Sequence, residues 1–465
     1  MIYINNNIFG GLDESKALIF VVDTSKIESG SSTNVQYKIP LQLKTGLYDV
    51  DCKYIIKWGD TTQSTITSSV DANLLHTYPF AGEYTIKIYP LSGASRISFF
   101  VNNLANRDRL KIREINQVGF AEIDSLYGCA NMRAFTATDF STYWNTKTDM
   151  SYMFAGWNTF NATLPSGFGN FPNAISVFAT YGGWYVFNQI LPVGFGNSPL
   201  ATNVSSAFTS WSAFNQALPA GFGNFPNATN MTGVFQGWWV YNTTLPAGFG
   251  SFANATNLYY TYYDWRVFNK ALPAGFGVYP NATNLYYTYC EWYAFNQALP
   301  AGFGIYPNAT NITGTYAEWF AFNQALPSGF GNYPLATAVS YAFQNWLAFN
   351  QSITLTTSAS LTNIAQAFHL SIFKNITISN CTNVSTIDIY TFNVVPLETL
   401  IVNNLKISFT IQYSTFTKTA YLDLIASLKD MTALTSPTMT VKNVPAFDTD
   451  CDNAAAAKNW TVVKI

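Results

Sequence analysis

The hexapeptide Leu-Pro-x-Gly-Phe-Gly begins at Leu164, Leu191, Leu218, Leu245, Leu272, Leu299 and Leu326, always 27 residues after the copy before it. A Trp keeps the same phase, at Trp157, Trp184, Trp211, Trp238, Trp265, Trp292, Trp319 and Trp346. Three residues after each Trp stands Phe or Tyr and then Asn, from Phe160-Asn161 to Phe349-Asn350. A strict period without insertions means one supersecondary unit per coil, stacked into a solenoid. A coil of 27 residues is too short for two helices and their connection, so it predicts one short strand plus turns.

The strand is expected before the Trp, as in Asn203–Phe208, Asn257–Tyr262 and Asn311–Tyr316. Each segment has an aliphatic residue after its Asn and an aromatic three residues before the Trp. Stacking such strands gives a parallel sheet with about 4.8 Å between coils. The glycines of Gly-Phe-Gly permit tight reversals. The Pro lacks an N–H and belongs where no ladder partner is needed. The recurring Asn can both donate and accept, so it can tie neighbouring coils together in place of charge.

The stretches Phe214-Asn215-Gln216, Asn230-Met231-Thr232 and Met150-Ser151-Tyr152-Met153-Phe154 resemble the BspA-like leucine-rich repeat family. The Leu-Pro-Ala-Gly-Phe-Gly insert is a departure from that family's pattern. Upstream, Trp58-Gly59-Asp60-Thr61, His76-Thr77-Tyr78 and Ala81-Gly82-Glu83-Tyr84 resemble a PKD-type immunoglobulin-like domain. That likeness implies a β-sandwich in which Gly59-Asp60 forms a hairpin turn and the His76–Tyr78 strand packs on Trp58. A functional Asp60/His76 pair is the sharper alternative. Past Asn350 the period fails, but Leu361–Ile364, Ile378–Val384 and Leu397–Val402 still read as irregular leucine-rich coils. Tyr421–Leu428 has helical apolar spacing. Asp452–Val463 is expected to be a short helix and a strand, similar to the C-terminal cap of BspA-like proteins. The expected fold is therefore mostly β. It comprises a PKD/Ig-like sandwich over 1–105, a solenoid N-terminal cap over 106–150, the 27-residue repeat solenoid over 151–352, and irregular leucine-rich coils with a cap over 353–465.

Charged residues are only 10% of the 465 and aromatics 17%, the reverse of a disordered chain. A net charge of −2 gives no electrostatic footprint for nucleic acid. No run approaches the length of a membrane span, so no membrane insertion is expected. The first residues lack the basic and apolar segments of a signal peptide, so none is expected. A surface poor in charge suits a subunit packed into an oligomer, and a homo-oligomer is the expectation. Cys52, Cys129, Cys290, Cys381 and Cys451 share no metal-ligand spacing, and their odd count reads as buried free thiols.

The chain has two histidines, His76 and His369, and neither lies in a nucleophile motif. No catalytic residue, cofactor or metal ligand is expected. Between Ser151 and Gln351 only Asp264, Arg266, Lys270, Glu291 and Glu318 are charged. Asp264, Glu291 and Glu318 are 27 apart and so share a phase on adjacent coils. A solvated ridge is the plain reading; weak cation binding or a catalytic carboxylate pair is the sharper one. The Asn-Ala-Thr sequons at Asn227, Asn254, Asn281 and Asn308 read as unglycosylated ladder residues.

Constant positions of a repeat are core, so function is sought at variable ones. The two residues after each first aliphatic vary most, and Tyr259, Tyr260, Tyr286 and Tyr287 would form an aromatic binding patch if they face outward. The alternative is that one of each pair points into the core. BspA-like proteins are adhesins. The expectation is a non-enzymatic surface protein of a phage virion, contacting other virion proteins or a host-surface glycan or protein. A bacterial cell-surface adhesin, or a carbohydrate-binding or carbohydrate-active module, is the alternative.

Overall fold

The computed structural model describes residues 12–42, 53–68, 70–91, 98–101, 107–394, 396–442 and 446–465. It is mostly β with few helices and divides into two units, Met1–Phe195 and Gly196–Ile465. Solenoid coils run through residues 114–464, about 15 turns in all, shared between the units.

In the first unit the apolar run Leu18–Asp23 lies between Glu83–Pro90 and Ile112–Gln117, antiparallel to both. Tyr54–Lys57 pairs with the far side of Glu83–Pro90 and turns back into Gln63–Ile66. The turn is the expected Gly-Asp hairpin, with Gly59 at φ +89°. His76 stacks on buried Trp58 with ring centres 4.6 Å apart, and its Nε2 lies 2.7 Å from Asp60 Oδ2. Tyr78 meets both rings edge-on. Lys111, fully buried, donates to Ser32 O, Ser32 Oγ, Thr33 O and Gln36 O and faces Asp108 at 3.2 Å. This cluster fastens the segment that leads into the strand Gln36–Lys38, since a buried charge is tolerated only when paired and fully hydrogen-bonded. The first coils follow. Ala134–Phe135 runs parallel to Ile112–Gln117. Further on, Met150, Tyr152, Phe154 and Gly156 donate their N–H groups to Ser176, Phe178, Thr180 and Gly182. Trp157 and Trp184 stack at 5.3 Å.

In the second unit the Trp column is continuous from Trp211 to Trp346. Successive rings are 5.7, 5.6, 5.6, 5.8 and 5.4 Å apart and within 13° of parallel. Every Trp of the repeat is fully buried. From Trp238 to Trp346, each indole N–H donates to the carbonyl of the aromatic residue 30 positions earlier, as in Trp265 to Phe235 at 2.7 Å. A buried indole needs such a partner. The Asn ladder is also present: Asn242, Asn269 and Asn296 accept through Oδ1 from the backbone N–H 27 residues on, at 2.9 Å each. The sequon residues Asn227, Asn254, Asn281 and Asn308 donate to the preceding coil at 2.8–2.9 Å, so they are ladder residues. Gly250, at φ +77°, must be glycine: a Cβ there would lie 2.2 Å from the Phe276 ring of the next coil.

The segments expected as strands before each Trp are runs of turns. In Asn203–Phe208 and onward, Val204, Ser206, Phe208 and Ser210 donate to the next coil, while Ala207 and Thr209 close turns onto Val204 and Ser206. The residues five and one before the Trp are left-handed in every coil of the second unit, as at Ser206 (φ 54°) and Ser210 (φ 63°). Each left-handed residue bends the chain, so alternate N–H groups reach the neighbour and the rest turn inward. Parallel bridging survives at the Asn positions, from Asn203↔Asn230 to Asn284↔Asn311. In the second unit extended strands appear after the repeat ends, where Ser352–Leu355, Asn375–Ile378 and Thr399–Val402 pair in parallel. The helix expected near Tyr421–Leu428 spans Lys418–Ser427, capped by Thr417. The expected closing helix and strand are Thr449–Ala457 and Thr461–Lys464. Cys129, Cys290, Cys381 and Cys451 are buried free thiols, as expected; Cys52 lies outside the described residues. Among the described residues no helix is long and apolar enough to cross a membrane.

Replacing Trp265 by Ala is expected to destabilise the chain by about 3–5 kcal/mol, the range for losing a buried Trp. Because solenoid stability sums nearest-neighbour terms, the lesion should also separate the melting of the two sides into distinct steps. Calorimetry of W265A beside V267A, whose side chain is half-exposed, checks this; equal melting curves would refute a supporting role for the column.

Candidate functional site

Tyr259, Tyr260, Tyr286 and Tyr287 stand six and five residues before their Trp, on two adjacent coils. All four are half-buried and none enters the core, which at this part of each coil is filled by Leu258, Tyr262, Leu285 and Tyr289. Neither member of a pair points inward. Tyr259 and Tyr286 stack at 5.0 Å and 5°. Tyr260 meets Tyr259 edge-on at 4.3 Å, and Tyr286 meets Tyr287 at 4.6 Å. The Tyr287 ring rests over Gly314, where a Cβ would be 2.6 Å from it. The small residue on one coil is thus the seat for the large residue on the coil before.

The cluster continues toward the Trp phase through residues that the sequence reading did not single out. Tyr260 meets Tyr263 at 4.8 Å. The Tyr263 hydroxyl donates to Glu291 Oε1, and the Tyr293 hydroxyl donates to Glu291 Oε2 at 2.7 Å. Tyr293 stacks on Phe320 at 4.8 Å and 9°. On the other side, Trp239 Nε1 donates to Asp264, and Arg266 donates to both Asp264 oxygens. The Arg266 guanidinium lies over the Trp239 ring at 4.9 Å and reaches to 3.9 Å from Glu291. The signal for these residues is the same that marks the Tyr pairs. Positions two and one before the Trp, and one after it, vary from coil to coil while the core positions stay fixed.

Asp264, Glu291 and Glu318 share one position, directly before the Trp. They do not form a solvated ridge. Asp264 is buried, and the side chain of Glu291 is only 18% exposed. All three are left-handed, at φ 72°, 65° and 67°, where Gly156, Gly183 and Gly237 stand in other coils. A non-glycine residue in this conformation costs roughly 1–2 kcal/mol. Burial pushes the Asp264 carboxyl above its ordinary range, opposed by its bonds to Arg266. Burial also raises Glu318, helped by the nearby Glu291 charge and opposed by Asn345, whose Nδ2 is 3.4 Å from Glu318 Oε1. Asp60 and His76, the other pair singled out, are hydrogen-bonded to each other in the first unit, Asp60 in the hairpin turn and His76 on the strand Leu75–Thr77 with its ring stacked on Trp58. Among the described residues no three His, Cys, Asp or Glu side chains converge to hold a metal.

No protein-family model matches the chain, and no curated protein and no solved structure matches it.

A carboxyl raised by folding binds its proton more tightly in the folded chain. Its stabilising contribution is present below the unfolded value, 4.5 for Glu318, and is lost as pH rises through the folded value. Glu318→Gln is therefore expected to melt above the parent at pH 7, with the gap closing as pH falls below about 4. Paired melting curves from pH 3 to 8 check this, and a gap that widens on acidification would refute it.

Proposed function

We propose that this chain is a non-enzymatic surface protein that displays one face of its solenoid for attachment, as a component of a phage virion. The observation that carries the reading is the half-exposed tyrosine cluster. Two adjacent coils hold four Tyr side chains on the outer surface, at positions that the coils on either side fill with Thr and Gly. Aromatic side chains with a polar tip are the common anchors of recognition surfaces. The leucine-rich-repeat likeness to BspA-type adhesins supports display rather than chemistry. The PKD-type likeness of the first hundred residues supports a β-sandwich that attaches or orients the solenoid. Val240 and Val267, each 43% exposed beside this face, and a surface with few charges suit packing against neighbours in a particle, consistent with a homo-oligomer.

The combined substitution of Tyr259, Tyr260, Tyr286 and Tyr287 by Ser tests the reading. The expected outcome is particles that assemble with the variant but adsorb to host cells at least tenfold less. Failure to incorporate would assign the patch to packing between subunits instead. Normal assembly with normal adsorption would remove it as a site.

A further inference from the structure

The solvent face of the first unit's six-stranded sheet is cut by a cavity of about 470 Å³. Three neighbouring strands supply its walls, Glu83–Pro90, Tyr54–Lys57 and Gln63–Ile66, together with the hairpin turn that joins the last two. Alternation along Glu83–Pro90 puts Thr85, Lys87 and Tyr89 on this face and sends Ile86 and Ile88 into the core. The pairing register then sets Lys57 directly between Lys87 on one side and Gln63 on the other. Like charges opposite each other on adjacent strands repel. Glu14, from the single turn before the first strand, answers only one of them. Its carboxylate accepts from Lys87 Nζ and from the Tyr89 hydroxyl.

Lys57 is left without an ion pair among the described residues; its ammonium lies over the Tyr89 ring at 5.1 Å. The side chains of Thr61, Gln63 and Thr85 also line the cavity, and among the described residues they have no hydrogen-bond partner either. The turn adds a strained residue. Gly59 takes φ +89° as glycine can, but Thr61 stands at φ 72°, a conformation that β-branched residues rarely adopt. Strain of this kind collects at functional sites, where the side chain is needed in that place. Glycine at position 61 would relieve it and would strip a hydroxyl from the cavity wall.

We propose that this cavity binds one sugar residue bearing a single negative charge, with Lys57 paired to the acid group and Thr61, Gln63 and Thr85 bonded to hydroxyls. Two ammonium groups against one carboxylate call for one further negative charge. Glu14 stays ionised, because Lys87 and Tyr89 hold its carboxyl below the ordinary range. A phosphate monoester, at about −1.5 to −2, would set its second charge against that carboxylate. Threonine and glutamine side chains both donate and accept, as sugar hydroxyls do. The volume falls in the lower part of the range of ligand pockets, about 300–1,000 Å³, which suits a single ring. A carboxylate and a sulfate ester supply the same charge, and the experiment separates them. The site lies in the first unit and is independent of the tyrosine-bearing face.

The test titrates the full chain with methyl glucuronide, glucose 6-sulfate, glucose 6-phosphate and methyl glucoside, read by saturation-transfer NMR. At least one of the two monoanions is expected to bind about fivefold tighter than the neutral glucoside and the phosphate, the upper range of an exposed ion pair. Whichever monoanion binds tighter names the acid group. Lys57→Gln should bring its affinity down to that of methyl glucoside. Lys57 is exposed, so this loss with the parent's melting curve is not misfolding. Lys374→Gln, at an exposed lysine of the second unit, should leave the affinity unchanged. Thr61→Gly should melt at or above the parent and still bind the monoanion severalfold more weakly, a combination that lost structure would not give. Glu14→Gln should strengthen the phosphate, because the repelling carboxylate is gone. Equal binding of the neutral glucoside, or phosphate bound tighter than both monoanions by the parent, would overturn the proposal. So would monoanion binding undiminished by Lys57→Gln or by Thr61→Gly, or no binding of any of the four sugars.

Discussion

The hydrogen bond from each buried indole N–H to a carbonyl 30 residues earlier fixes the second unit's geometry. It makes one side chain serve twice. The ring stacks on its neighbours along the column, and the N–H satisfies a backbone oxygen that burial has removed from water. Within the second unit each such bond spans the same 30 residues, so donor and acceptor keep one phase from coil to coil. The constant period thus serves buried polar accounting as well as apolar packing. The period relaxes where the Trp column ends. Beyond Trp346 the coils become shorter, extended strands appear beside runs of turns that persist at 365–370, and Phe373 closes the stack at 5.5 Å from Trp346.

The solenoid was legible because its evidence is periodic: a phase error of one residue would have been visible in eight Trp positions. The backbone path inside each coil was not legible, because alternation of side-chain type before the Trp reads the same for a strand and for stacked turns. What separates the two is a left-handed residue at two positions per coil, and sequence announces such a residue only when it is glycine. Gly233 and Gly314 occupy the position five before the Trp, but Ser206, Tyr260, Tyr287 and Tyr341 occupy it too, all at positive φ. A bulky residue hides the signal. In the first unit the Trp58-Gly59-Asp60 turn was legible for the opposite reason, since glycine stands where positive φ is needed.

The candidate site was half legible. The Tyr pairs stood out because they depart together from small residues at adjacent positions. Tyr263, Tyr293, Trp239 and Phe320 did not, because each is a single change in a sequence already rich in aromatics. Their relation appears only when the coils are stacked and residues 25 to 28 apart become neighbours, as Trp239 and Asp264 do, or Tyr263 and Glu291. The acidic column shows the limit of phase alone. Shared phase correctly put Asp264, Glu291 and Glu318 on one line, but exposure depends on what the flanking positions carry. Trp239, Tyr263 and Tyr293 cover the first two carboxylates and turn an expected ridge into a partly desolvated strip.

That strip is where the chain departs furthest from its most economical sequence. Glycine satisfies the left-handed position before the Trp in three coils without strain or desolvation, yet three consecutive coils place carboxylates there. Each substitution carries a backbone penalty of roughly 1–2 kcal/mol, and burial adds to it. A globular core would spread such strain through its packing. A solenoid confines it, because each coil's stability depends only on its own terms and those of its neighbours. The aromatic columns inside, from Phe208 to Phe343 and from Trp211 to Trp346, continue unchanged beneath the strip. The fold thus separates its two tasks by depth. The inner positions are held constant by stacking and indole hydrogen bonds, which leaves the outer positions free to carry residues that destabilise their own coil.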